Sequence, residues 1–267
     1  MVKEMGRGVI TLIKDFGTRD GYAGIIKGVI LKINPQVRLV DITHEVSPQD
    51  IFEAGFILKN SYRYFPNMSI HLVVVDPGVG SRRRAILVET DNHFFIGPDN
   101  GVFTFIYEFE RIKKIIELTN KRYFLPYISN TFHGRDIFAP AAAYLSKGTS
   151  LEDLGEICDD VVRFDIPRPE TERGIIKGVV LHVDRFGNLI SNIPEVLFRE
   201  LVGKGRYEIS IGGEVLEDIK GSYSEVKEGQ ALAVFGSSGY LEISVRGQNA
   251  REKLKLNKGN EVKVVYK

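Results

Sequence analysis

Tryptophan is missing from this chain, glutamine occurs four times and cysteine once, at Cys158. A single cysteine excludes an intramolecular disulfide, and with no export pattern at the start it fits a reducing cytoplasm. Its neighbours in "EICDD" include acids, which raise a thiol pKa and blunt it as a nucleophile. No apolar run approaches the roughly 18 residues of a membrane span. The opening "MVKEMGRGVITLIKDFG" enters a strand directly, without the pattern of a secretory signal. Neither sign of charge dominates: 36 Lys and Arg stand against 35 Asp and Glu, for a formal net charge of +1. That leaves no basic field to attract nucleic acid or an anionic membrane. The glycine signatures of polyphosphate binding are missing too, both GxxxxGK[ST] and a GxGxxG after the first strand. There is no HExxH, and the five histidines are scattered without cysteine partners, so no metal centre and no cofactor is expected. His71, at a strand start, and His93, in a turn, read as structural.

What is present is an ordinary core-forming composition. The chain has 267 residues, 43% of them hydrophobic, enough for one large domain or two smaller ones. Lysine, arginine and glutamate are abundant, which with the scarcity of labile residues leans towards a thermophile.

The pattern along the chain divides it. "GVITLIKD" (8–15), "VRLVDIT" (37–43) and "SIHLVVVD" (69–76) read as strands, each followed by a polar loop and, after the first two, a helix. Asp20 is the expected cap of the first helix, and Ser47 with Pro48 the expected start of the second. "RAILVET" and "HFFIGPDNG" form a hairpin, "RIKKIIELT" a further strand and "GRDIFAPAAAYLSKG" a helix. Alternation of this kind, with near-continuous apolar strands, predicts an α/β domain over 1–164 with a parallel-rich sheet covered by helices. The stretch 165–173, "DIPRPETER", reads as a linker. From 174 to 267 short strands follow one another closely, separated by glycine turns, with "PEVLFRELVG" the one helical segment. This predicts a smaller β-rich domain, antiparallel and barrel-like.

Ligands of open α/β sheets bind beyond the carboxyl ends of the strands. Asp15, Asp41 and Asp76 all fall there, and together they predict the rim of one crevice. A carboxylate after the first strand repels a pyrophosphate but suits a ribose diol, so a nucleoside-like ligand without a polyphosphate is favoured. In "HLVVVDPGVGSRRRAI" (71–86) Asp76 is followed by Arg82, Arg83 and Arg84, which invites either a structural ion pair or a charged site. If the arginines belong to an alternating strand, the middle one faces away from its neighbours. His133 lies just ahead of an Ala-rich helix, in a loop position typical of function. In the second domain "HVDRFGNLISNI" (182–193) carries Asp184, Phe186 and Asn188. The group is either a hairpin turn or a carboxylate, a stacking ring and an amide for a ligand. "FGSSGYLEISVRGQNA" (235–250) presents Ser237 and Ser238 in a turn suited to a carboxylate.

Seven segments carry a resemblance: "TLIKDFGTRDGYAGIIKGVI", "VDITHEVSPQDI", "HLVVVDPGVGSRRRAI", "FIGPDNGVF", "NTFHGRDIFAPAAAYL", "HVDRFGNLISNI" and "GSSGYLEISVRGQNA". In order, from residue 11 to about 250, they resemble the S-adenosyl-L-methionine hydrolases (adenosine-forming), relatives of the fluorinases and chlorinases. The resemblance implies an α/β and a β-rich domain, and hydrolysis of S-adenosyl-L-methionine to adenosine and L-methionine by attack of water on the 5′-carbon. It implies homotrimers with sites between the first domain of one subunit and the second of its neighbour. Asp76, Arg83 and His133 would handle the water, with Asp76 held ionised beside arginine and His133 the better proton acceptor. Asp15 would hold the ribose hydroxyls, Asp184 the methionine ammonium, Ser237 or Ser238 its carboxylate, and Phe186 and Asn188 the adenosyl group. The alternatives are a non-catalytic sensor of the same nucleotide and, least favoured, a halogenase, since a carboxylate at Asp76 repels halide.

Overall fold

The computed structural model describes residues 8–267; the first seven, part of the segment read for export signals, lie outside it. The chain divides into two compact units, one running to Phe164 and the other starting at Asp165.

In the first unit, strands β1 (Val9–Lys14), β2 (Arg38–Thr43), β3 (Ile70–Val74), β4 (Ala85–Thr90), β5 (Phe94–Pro98), β6 (Ile112–Leu118) and β7 (Gly155–Ile157) form one sheet, in the order β2-β1-β3-β5-β4-β6-β7. The pairs β1–β2, β1–β3 and β3–β5 are parallel, and the pairings of β4 with β5 and β6 are antiparallel. Five of the seven strands (β2, β1, β3, β5 and β6) therefore run in one direction.

The unbroken apolar runs have a direct cause. Ile70, Leu72 and Val74 enter one core with Ile26, Ile30, Ala142 and Leu145, while Val73 and Val75 enter another with Ala54, Leu58, Phe103 and Ile106. Successive side chains of a strand point to opposite faces, so a strand covered on both sides must be apolar at every position. The covers are helices α1 (Tyr22–Ile33) and α4 (Ala139–Ser146) on one side, and α2 (Ile51–Ser61) and α3 (Thr104–Phe109) on the other.

Two helix starts differ from expectation. Gly21 occupies the cap position of α1 with no side-chain bond, and Asp20 takes no part. In α2 the cap is Asp50, three residues after Ser47, accepting from the Glu53 N–H at 2.8 Å. The helix begins only at Ile51, so Asp50 rather than Ser47 stands where a side-chain oxygen can reach the N–H of the third helical residue.

The second unit is a nine-stranded, almost wholly antiparallel sheet. Its strands are β8 (Glu170–Glu172), β9 (Ile175–Val183), β10 (Leu189–Pro194), β11 (Tyr207–Ile211), β12 (Glu214–Leu216), β13 (Ile219–Lys220), β14 (Ala231–Phe235), β15 (Tyr240–Val245) and β16 (Glu261–Tyr266). The order is β12-β11-β16-β9-β10-β15-β14-β13, with β8, inside the stretch read as a linker, paired to β9. β12 approaches β14 from the far end of the order, so the sheet curls almost into a barrel. The first unit also holds the short α5 (Leu151–Leu154); in the second, α6 (Glu195–Leu201) is the expected helix, and α7 (Ala250–Leu254), capped by Asn249, is an additional one that the sequence does not predict.

Candidate active site

The chain leaves β3 at Val74 and turns at once. The N–H of Val79 donates to the Asp76 carbonyl at 3.2 Å, and that of Ser81 to Gly78 at 3.1 Å. Gly80 makes the turn possible. Its φ is +79°, and a Cβ there would lie 2.3 Å from the Asn130 carbonyl oxygen. Only glycine satisfies both conditions. The tight turn brings Arg83 back over Asp76: Nε donates to both carboxylate oxygens at 2.9 and 3.0 Å, and Nη2 to Oδ2 at 2.5 Å. The guanidinium also lies 5.1 Å from the centre of the Phe138 ring.

The three arginines part company here, and not by strand alternation, since β4 begins only at Ala85. Arg82 is exposed. Arg84 reaches Asp99 and Asp160, tying the segment around Cys158 to the end of β5. Arg83 alone is bonded to Asp76, and its Nη2 lies 2.9 Å from Nδ1 of His133.

His133 precedes a single π-helical turn, Gly134–Phe138, that runs directly into α4. Such turns are frequent at functional sites, because the extra residue redirects a side chain. The turn is anchored by Asp136, a fully buried carboxylate absent from the sequence-based site. It accepts from the Ser129 N–H and hydroxyl at 2.9 and 2.8 Å and from Arg135 Nε at 2.6 Å. Gly134 seats the turn on the sheet, where a Cβ would meet Ile26 and Val74 at 3.1 and 3.3 Å.

Burial first, then the Arg83 charge, holds the His133 pKa below the usual imidazole value; Asp76 and Asp136 oppose this. The ring is thus neutral near pH 7. Arginine can only donate, so Nδ1 accepts from Arg83 and the ring proton sits on Nε2. The nitrogen expected to receive a proton is already engaged. This constraint cannot be read from sequence.

Asp15 follows β1 and lies beside Val75 in register, since Lys14 pairs with Val74. Its Oδ2 accepts from the N–H of Gln49, a residue held at φ +66°. Oδ1 makes no hydrogen bond within the described residues. Phe16, just beyond, meets Tyr22 and Phe132 edge to face, each with centroids 5.9 Å apart, and those two rings meet at 5.3 Å, linking this loop to the one carrying His133. Asp15 and Asp76 therefore share one end of the sheet. Asp41 does not join them: it lies within edge strand β2 opposite Leu12, bonded to Lys27 of α1 at 2.5 Å. Lys14, wholly buried, was also overlooked; burial brings its pKa down to about 7, against the pull of Asp41.

In the second unit Asp184 organises its hairpin. Oδ1 accepts from the N–H groups of Phe186 and Asn188 at 2.9 and 2.8 Å, and Oδ2 from the Asn188 side-chain amide at 2.9 Å. The hairpin reading therefore holds, and Oδ2 retains a lone pair. Phe186, at the tip, is 76% exposed, so its ring contributes little to the fold. Ser237 and Ser238 occupy the turn between β14 and β15, closed by the Gly239 N–H on the Gly236 carbonyl at 2.9 Å. Among the described residues no group of His, Cys, Asp and Glu is arranged to hold a metal ion.

The sequence matches the family model for the SAM hydroxide adenosyltransferase N-terminal domain over residues 10–155, and that for the C-terminal domain over 178–263. An (R)-S-adenosyl-L-methionine hydrolase of Methanocaldococcus jannaschii is 37% identical, over 97% of this chain and 96% of that one. One from Thermus thermophilus is 35% identical, over 96% and 99%. A fluorinase of an Actinoplanes species is more distant, 27% identical over 70% of this chain and 72% of its own. Among solved structures, an uncharacterized conserved protein from Thermotoga maritima superposes with a TM-score of 0.89 at 35% identity, covering 96% of this chain and 99% of that one.

Proposed function

The chain belongs to the SAM hydroxide adenosyltransferase family, and from that premise we propose that it hydrolyses S-adenosyl-L-methionine to adenosine and L-methionine. The observation that carries the reading is one guanidinium, Arg83, bonded at once to Asp76 and His133 at the carboxyl end of the central strands.

The chemistry asks for this arrangement. A sulfonium already leaves well, as a neutral thioether, so no acid and no cofactor is needed to expel methionine. The missing partner is a nucleophile. Water must be held in line with the C5′–S bond and must lose a proton as the C–O bond forms. Arg83 stabilises the negative charge developing on that oxygen. Asp76 Oδ1 accepts a single bond, so it has a lone pair to orient the water and receive its proton. His133, through Nδ1, fixes the guanidinium and offers an Nε2–H donor. The products are adenosine, methionine and one released proton.

Asp15, with Oδ1 open, holds the ribose diol; Phe186 and Asn188 contact the adenosyl group; Asp184 and the Ser237–Ser238 turn bind the amino-acid end. The active species is a homotrimer in the cytoplasm in which each site draws on two subunits, and the charged composition points to a thermostable enzyme.

The test is one incubation of purified protein with S-adenosyl-L-methionine in oxygen-18 water, with and without chloride, beside Asp76→Ala. The expected product is adenosine labelled at the 5′-oxygen, independent of chloride and lost in the variant. Substrate bound but unchanged would leave a sensor. A chlorinated nucleoside would make the protein a halogenase.

A further inference from the structure

Glu242, on β15, is 5% exposed. Its Oε1 accepts from the Tyr223 hydroxyl at 2.7 Å and from Ser244 at 2.8 Å. Oε2 accepts from no described residue. It lies against Gly236, where a Cβ would approach it to 2.4 Å. No cationic side chain among the described residues pairs with this carboxylate. A buried carboxylate without a counter-ion is costly to keep, and its natural complement is a cation that arrives from outside.

The sheet register shows where that cation binds. Glu242 pairs with Ile190 of β10, and Ile190 with His182 of β9. Ser244 lies two residues beyond Glu242, so Glu242, Ser244, Ile190 and His182 share one face, and Asp184 follows just past the end of β9, two residues beyond His182. The opposite face carries Leu189, Leu241 and Ile243 into the core. Tyr223 joins the two carboxylates: burial, its bond to Glu242 and the charge of Asp184 all push its hydroxyl pKa up. Tyr223 thus lies by two acids, with His182 the one basic side chain on that face, beside a turn whose two serine hydroxyls make no hydrogen bond among the described residues.

We propose that Glu242 is a second carboxylate for the ammonium of the substrate's methionine, acting with Asp184 beside the Gly236–Gly239 turn. The assignment rests on the reading of S-adenosyl-L-methionine as substrate. Tyr223 and Ser244 hold Oε1 and so present Oε2 as the free acceptor. The hydroxyls of Ser237 and Ser238 face the other end of the zwitterion. Glu242 then makes the enzyme selective for sulfonium nucleosides that carry an α-amino group, rather than for the sulfonium alone.

The test compares the full-length protein with Glu242→Gln on two substrates, S-adenosyl-L-methionine and its deamino analogue, in which hydrogen replaces the ammonium. Loss of a charge-assisted bond raises KM for the natural substrate about 10- to 100-fold, with kcat little changed. With the deamino analogue the two proteins give the same KM. An equal loss on both substrates would make Glu242 a structural residue of the turn and overturn the proposal, as would an unchanged KM for the natural substrate. Wild-type protein that hydrolyses neither compound would remove the substrate reading itself, and the assignment with it. If the Gln variant does not fold, Glu242→Asp carries the same comparison, because it keeps the charge and withdraws it by one methylene.

Discussion

At the scale of single residues, Arg83 does what no other side chain can. Its planar fork meets both oxygens of Asp76 and still reaches His133. Lysine, a point charge, cannot make these contacts together. Replacement by alanine is expected to lower turnover about 10²- to 10⁴-fold, the range of a lost oxyanion-type donor, and lysine should recover little. Undiminished turnover in the alanine variant would remove Arg83 from the mechanism. His133 sets the pH dependence. Its neutral form accepts from Arg83, whereas a protonated ring would set two cations against each other. Because its pKa lies below the usual imidazole value, kcat should hold steady from pH 8 down through 6.5 and fall only in more acid solution. His133→Gln keeps an acceptor oxygen and cannot titrate, so its profile should lose that acid limb. An unchanged limb would assign the titration to another group.

At the scale of elements, two turns place these residues, and each has a weak point. Gly80→Ala must move the Asn130 carbonyl and adopt a left-handed φ, so it should displace Arg83 and cost activity well before the protein unfolds. Asp136→Asn leaves Arg135 without its charge partner and one Ser129 bond mispaired. It should destabilise the protein by about 2 to 3 kcal/mol, as removal of one side of a buried pair does. Urea denaturation of the two variants checks both statements, and an Asp136→Asn midpoint equal to wild type would deny the anchor. These turns also mark how far the sequence could be read. The sheet was legible because strands such as Leu72–Val75 are apolar on both faces, which few other structures require. Asp15, Asp76 and Arg83 were legible as loop residues after strands, and His133 as the loop residue ahead of a helix. Asp136 and Glu242 were not: a buried acid looks the same in sequence as an exposed one until Ser129 or Tyr223 is brought to it. The short helix α7 carries too few turns for a periodic signal. Capping by Asp50 rather than Ser47 depended on where the turn before α2 ended, which is a tertiary matter.

At the scale of the whole molecule, the histidines dismissed as structural govern acid stability. His71 is wholly buried in β3, with Nδ1 2.8 Å from the Thr11 hydroxyl and Nε2 3.3 Å from His93 Nδ1. Burial, then the His93 charge, hold its pKa well below the ordinary value, and burial lowers that of His93. Both are neutral in the folded protein. In the unfolded chain they take up protons as pH falls through about 6.5. The unfolded state then binds more protons than the native one, so acid favours unfolding. Above that pH these two residues contribute no pH dependence. Below it, stability should fall by about 1.4 kcal/mol per pH unit for each histidine that stays neutral. Guanidinium denaturation at pH 7.5 and 5.5 reads this difference, at concentrations where light scattering shows the same assembly. His71→Asn should flatten the slope while lowering stability at every pH, since it keeps a polar contact with Thr11 but loses ring packing against Phe95, now stacked at 5.1 Å. Equal stability at both pH values in the wild type would mean that the pair is already protonated in the fold.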